Sequence, residues 1–278
     1  MRSFAFFSLL GLGALAPAAD YYAGVDAFSG ASMFRFADGA PESDVVDQYH
    51  SISGLSSDAA AVTAPGLGGF GQAMASATPG VIKAKAFASA SSVTFENGDT
   101  KVGFGNGTGR GRWLDVLTIT QSGFLKFTWD LSGSANQILD TTYVTLTGRL
   151  GVVRENFSSV GLIDTYLHTT SLAQMFRVNN NAPGNENFFY GSFTAGQKIT
   201  VYADLEVQAA AASSKPGSAS IDYSHSSYAV IEPAFGQGAS FTSASGYSYA
   251  AQPVPEPSAL LAVGLGTAML LRRRSPGK

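Results

Sequence analysis

The chain has 278 residues, of which 13% are charged, with 32 glycines and no cysteine. The missing cysteine excludes disulfide frameworks, thiolate metal sites and cysteine nucleophiles, while 45% hydrophobic content is enough for a real core and excludes a wholly disordered chain. The formal charge of −3 hides an asymmetry: residues 19 to 257 hold 12 Lys and Arg against 20 Asp and Glu, a net −8 that repels phosphate backbones and argues against a nucleic-acid partner.

The chain opens with Arg2, an apolar stretch from Phe4 to Leu15, and small residues that place Ala16 and Ala18 as an A-x-A cleavage pair. This three-part order predicts a secretory signal peptide over residues 1 to 18, cut by signal peptidase after passage through the export machinery, with the mature chain starting near Ala19. The competing reading is an ordinary buried N-terminal helix.

The body, residues 19 to 252, reads as short strands. Phe34 to Ala37 is a first candidate. Residues 53 to 80, dominated by Ala, Gly, Ser and Thr, carry the weakest core signal and read as loop or meander. Within them "GLGGFG" at 66 to 71 fits a dinucleotide fingerprint only on paper, since no strand precedes it and no helix follows; it is expected to be a flexible loop.

Ile82 to Ala90 is a further strand, and Asn97-Gly98 separates two alternating runs as a hairpin turn would. Leu114 to Thr120 follows. "FLKFTWDL" sets Leu125, Phe127, Trp129 and Leu131 on one face; Val144, Leu146 and Leu150 do the same in the next run, as do Ile199, Val201, Leu205 and Val207 further on. Between these runs Ser158 to Gln174 is compatible with a helix, and Tyr228 to Ile231 is a last strand. Many short alternating strands with polar turns predict an all-β fold, an antiparallel β-sandwich or jelly roll, with no second core.

Catalytic patterns are thin. His50, His168 and His225 lack helical metal-pair spacing, and the chain has no G-x-S-x-G. "DYSHSS" brings Asp222, Ser224 and His225 together, but alternation puts His225 on the opposite face from the other two. Asp204 and Glu206 share a strand face and are expected to be solvated, Tyr247 and Tyr249 could stack sugars or pack, and "GRGRW" at 109 to 113 is only a fragment of a basic patch. No cofactor, metal or catalytic residue is expected, and the body is read as non-enzymatic.

Residues 253 to 278 differ from everything before them. Pro255 and Pro257 fix φ and remove two donors, which keeps a helix from running through them. Ser258 to Leu271 is uncharged and apolar or small on every side, so it predicts a buried rather than an amphipathic helix; at 14 residues it reaches about 21 Å, short of a bilayer core of roughly 30 Å. Local thinning and snorkelling of Arg272, Arg273 and Arg274 make up part of the mismatch, and that cluster is the expected cytoplasmic flank of a short transmembrane helix. The alternative is a C-terminal core helix with a solvated charge run.

Val254, Pro255, Glu256, Pro257 and Ser258, the short Gly-containing apolar helix and the terminal arginines together resemble the PEP-CTERM sorting signal of bacterial exported proteins. The resemblance covers residues 254 to 274. It implies transient anchoring in the inner membrane, processing near the Pro-Glu-Pro motif by an exosortase, and a destination at the cell surface or in an exopolysaccharide matrix. The expected role is structural or adhesive; the alternative is a carbohydrate-binding module or a polysaccharide-active enzyme, with exopolysaccharide as a partner.

Overall fold

A computed structural model describes residues 20–37, 40–54, 58–66, 68–94, 100–138, 142–169, 176–179, 188–213, 216–236 and 238–250. Two antiparallel sheets lie face to face. The first runs in spatial order β11 (Phe176–Asn179), β10 (Ser159–Thr169), β9 (Thr142–Arg154), β13 (Lys198–Ser213), β7 (Thr100–Gln121), β1 (Tyr21–Ala37) and β2 (Ala40–Gly54), with β6 (Ser92–Thr94) and β15 (Ser240–Ser243) also on β7. The second runs β12 (Phe188–Phe193), β8 (Gly123–Ile138), β14 (Gly217–Ala234), β5 (Val81–Ala90), β4 (Gly69–Thr78) and β3 (Asp58–Gly66). No helix occurs among the described residues. The all-β sandwich expected from the alternating pattern is what forms.

Large side chains fill one half of the space between the sheets. Leu125, Phe127 and Trp129 of β8 meet Val144, Leu146, Leu150 and Val152 of β9 and Ile199, Val201, Leu205 and Val207 of β13, all buried. Phe127 stacks on Phe189 of β12 with ring centroids 5.0 Å apart and meets Phe193 edge-on at 5.9 Å. These are the faces that period-two alternation assigns to the core.

The other half is built from small residues. Gly103, Gly105, Gly107 and Gly109 of β7 all point inward, facing Ala73, Ala75 and Ala77 of β4 and Ala84, Ala86 and Ala88 of β5. A Cβ at Gly107 would lie 2.9 Å from the Phe87 carbonyl oxygen and closer still to that of Gln72; one at Gly109 would lie 2.6 Å from the Met74 oxygen. Across the gap, a Cβ at Gly71 would meet the Gly30 oxygen at 2.6 Å. The two backbones touch here without side chains between them, so the sandwich narrows from a normally filled core to direct contact between sheets. The usual spacing of about 10 Å needs side chains on both inner faces.

This narrowing corrects two expectations. Most of residues 53 to 80 is neither loop nor poorly ordered: β3 and β4 occupy 58–66 and 69–78, and Gly69 and Gly71 of "GLGGFG" lie inside β4. Glycine and alanine occupy the inward positions of β4 because only they fit the thin half. Within the helix-compatible stretch Ser158 to Gln174, residues 159–169 form a strand, β10, in which Ile163, Thr165 and Leu167 are buried at period two, and residues 170–174 lie outside the described residues. The remaining strand candidates fall inside β1, β5, β7 and β14, and β6 and β7 pair antiparallel at Thr94 and Thr100; residues 95–99, with Asn97-Gly98, lie outside the described residues.

Candidate functional site

The residues expected to carry sorting lie outside the described residues: Ala16 and Ala18, Val254, Pro255, Glu256, Pro257 and Ser258, and Arg272, Arg273 and Arg274. The structure does place the segment that leads to them. Residues 240–243 form β15, which takes up the edge of β7 just where β1 ends, since the Val116 N–H donates to the Asp20 carbonyl and the next partner of β7 is Ser243 at Leu117. The chain then crosses to the second sheet. Tyr247 lies over Gly80, and the Tyr249 carbonyl accepts from the Ile231 N–H at 2.9 Å, next to the Ala229 N–H bonded to Gly80. Both open strand edges at this level are thereby covered.

A single carboxylate fastens that crossing. Asp115 sits at an inward position of β7, in register with buried Trp113, Leu117 and Ile119, and is itself fully buried. It accepts from the Ser243 hydroxyl (2.7 Å), the Ser245 hydroxyl (2.6 Å), the Ser245 N–H (3.2 Å) and the Tyr249 hydroxyl (2.8 Å). A buried charge is tolerated only when its lone pairs are taken up in this way. Burial first, and the Asp115 carboxylate second, push the Tyr249 phenol far above its ordinary range, so it stays a donor. Trp113 and Tyr247 flank the Tyr249 ring at 5.9 and 4.9 Å. Tyr247 and Tyr249 therefore pack. An aspartate in an otherwise apolar register, "WLDVLTI", is the sequence signal for this clamp; its partners, some 130 residues later, leave no local sign.

The outer face of the first sheet carries paired charges. Arg110 grips Asp204 through two guanidinium nitrogens, Nε at 2.9 Å, and lies 3.9 Å from Glu206; Arg112 reaches Asp26 at 3.2 Å and Arg149 reaches Asp164 at 2.7 Å. Asp204 and Glu206 were expected to be solvated, but strand register puts Arg110 beside them, and the pairing with Asp204 raises the Arg110 pKa. Partial burial raises that of Glu206 against the opposing pull of Arg110. "GRGRW" is thus half of an ion-pair network and not a free basic patch.

Asp222 and Ser224 are committed to each other: the carboxylate accepts the Ser224 N–H at 2.8 Å and its hydroxyl at 2.5 Å, within a register shift of β14. The side chains of His50, His168 and His225 lie outside what is described, and among the described residues no group of three His, Asp or Glu converges to hold a metal. An open groove lined by Gly68, Phe70, Ser89, Ser91 and Pro216 offers no acid, base or activated nucleophile.

One end of the sandwich differs from the rest of the surface. The β7–β8 connection, the β9–β10 turn, the β12–β13 loop and the turn after β14 all gather there, because Gly123 pairs with Phe193, Phe124 with Ala234, and Lys198 with Thr118. Phe157 (φ 60°) and Phe235 (φ 59°) occupy two of these loops and are the only non-glycine residues with left-handed backbone among those described. They are also the most exposed large hydrophobics, at 80% and 66%. A bulky residue in that conformation costs roughly 1–2 kcal/mol. Phe235 meets Tyr190 at 4.6 Å and Phe124 at 5.6 Å, Tyr190 meets Phe188 at 5.4 Å, and the Lys126 ammonium lies 4.6 Å over Phe188. Sequence alternation gave no hint of these turn phenylalanines. No protein-family model matches the chain, and no curated protein matches it.

Proposed function

We propose that this is an exported, exosortase-processed protein of the cell surface or extracellular matrix, whose body is a non-catalytic structural module. The observation that carries the reading is the join between body and tail. The clamp on Asp115 holds the chain through Tyr249, and Pro255 follows Ala250 by five residues, so the sorting motif stands within about 18 Å of a folded body at full extension. A closed module followed at once by Pro255 and Pro257, which disfavour helix, suits a protease that acts on extended backbone beside the membrane. The ion pairs on the first sheet support a structural role, since their carboxylates are taken up by arginines rather than held ready for proton transfer.

Fractionation of the native host with epitopes at both ends of the mature chain tests the reading. The N-terminal epitope is expected in the envelope or outside the cell, cut after Ala18, with the C-terminal epitope removed. Glu256→Ala and Pro257→Ala leave export and folding intact and accumulate an unprocessed membrane form. A full-length chain soluble in the cytoplasm overturns the proposal.

A further inference from the structure

We infer that the loop end of the sandwich is a lipid-contacting surface, with Phe157 and Phe235 seated in the headgroup region of the bilayer from which the C-terminal tail emerges. The inference rests on the reading of residues 258 to 271 as a membrane anchor, and it adds which end of the body meets the membrane and which residues touch it.

The backbone supplies the first argument. Phe157 fills the left-handed position of the β9–β10 turn, where its N–H donates to the Arg154 carbonyl at 2.8 Å and the Asn156 side chain accepts from the Ser158 N–H. Glycine or asparagine suits that position without strain. Phe235 precedes left-handed Gly236, so two successive residues have positive φ, a pattern normally filled by Asn-Gly. Neither ring enters the core. Twice, then, the fold carries an unfavourable residue at a loop tip: Phe157 stands almost fully exposed, and Phe235, although it rests on Tyr190 and Phe124, keeps most of its surface in water. Strain of this kind at an exposed position points to contact with something outside the fold.

The path of the tail identifies that contact. From Tyr247 beside Gly80 and Ala229 to Tyr249 beside Ile231, the chain advances along β14 toward Ala234 and Phe235. It leaves the described structure at Ala250 heading for the aromatic end, and Ser258, the first residue of the apolar segment, is eight residues on. Fully extended, eight residues span at most about 29 Å. An anchored tail therefore holds this end, and not the opposite one, next to the bilayer.

The chemistry of the end agrees. Phe124 and Tyr190, 36% and 41% exposed, back Phe235 with rings, and a tyrosine with a polar tip suits the headgroup level. Charge within three residues of the loops is sparse: Lys126, Arg154 and Lys198 against Glu155 and Glu232, a balance that does not repel an anionic lipid surface.

Tryptophan probes on the full chain test the inference. Phe157→Trp, Phe235→Trp and, as a control seven residues along β10 from Ser159, Tyr166→Trp are each reconstituted in vesicles of phosphatidylethanolamine and phosphatidylglycerol with and without brominated acyl chains. Native Trp113 and Trp129 are buried and give a constant background. Emission from the probes at positions 157 and 235 is expected to shift to the blue and to be quenched by brominated lipid at least twofold more than that of the control probe at position 166. Phe157→Asn and Phe235→Asn are expected to raise or preserve thermal stability, which a purely structural role for the rings would not allow, and to increase tail cleavage by added protease. Flotation with the vesicles is scored separately. A chain that does not float overturns the anchor reading and this one with it; a chain that floats with both loop probes unquenched overturns the lipid contact alone. A blue shift produced by soluble polysaccharide in place of vesicles makes the end a glycan platform and likewise overturns it.

Discussion

Replacing Asp115 by alanine removes the acceptor for four hydrogen bonds that hold residues 243 to 249. A hydrogen bond to a charged group contributes about 1.5–3 kcal/mol net, but the four do not add. Ser243 and Ser245 are only partly buried and regain water once the segment loosens, whereas the Tyr249 hydroxyl is shut inside and loses its only strong acceptor. One unmet buried donor together with a partly rehydrated pair gives a loss of about 3–5 kcal/mol, the range seen when one partner of a buried charged pair is removed. Asp115→Asn keeps the shape and one acceptor oxygen and is expected to fall between wild type and Asp115→Ala. Denaturant titration reads the global loss, and hydrogen exchange reads where it falls. Residues 240–250 should lose protection first, with Ala244, whose N–H donates to the Val116 carbonyl, among them, together with Ile231, whose N–H donates to the Tyr249 carbonyl, while β9 and β10 keep theirs. An unchanged midpoint, or loss of protection spread evenly over both sheets, would refute the clamp.

Gly107→Ala drives a methyl against the Gln72 and Phe87 carbonyls in a half of the sandwich with no side chain to yield, so a loss of about 3 kcal/mol is expected by denaturant titration; a loss below about 1 kcal/mol would mean that the sheets are not in backbone contact. Ser29→Ala removes a fully buried hydroxyl that has no hydrogen-bond partner among the described residues, and its midpoint should rise by about 1 kcal/mol equivalent. Burial raises the phenols of Tyr249, Tyr143 and Tyr202 above their ordinary value. The unfolded chain releases those protons at about pH 10 while the folded one holds them, so this stability is complete below about pH 10 and is lost as pH rises through the folded values. Denaturant midpoints measured across that range should fall, and Tyr249→Phe should flatten the fall.

Strands with large residues were legible because a period of two between Leu, Phe, Val and Trp cannot be mistaken. Those of the thin half were not: Ala59 to Ala64 offers no contrast between faces, and in Gly69 to Ala77 the contrast is inverted, with Gly and Ala turned toward the glycine face of β7 and Phe70, Gln72 and Met74 turned away from it. β10 misled for another reason. Val160, Ile163 and Leu167 recur at helical spacing, while buried Thr165, which completes the true alternation, looks polar. Alternation also placed Asp204 and Glu206 on one strand face but could not say that β7, with Arg110, and β13 are neighbours. The expectation for the tail rests on three short signals in fixed order, in residues outside those described; the clamp before it joins Asp115 of β7 to Ser243, Ser245 and Tyr249, far along the chain, and only the folded register brings them together.

The central claim is that the chain is delivered outside the cytoplasm as a closed module and cut beside it. Intact mass of the form recovered from the envelope or medium of the native host measures this directly. The expected species has an N-terminus at or near Ala19 and a C-terminus between Ala250 and Ser258, with the sandwich whole. A mature species that retains Arg272 to Arg274 and Lys278, or one cut inside the body while Pro255 to Pro257 stays attached, would contradict it.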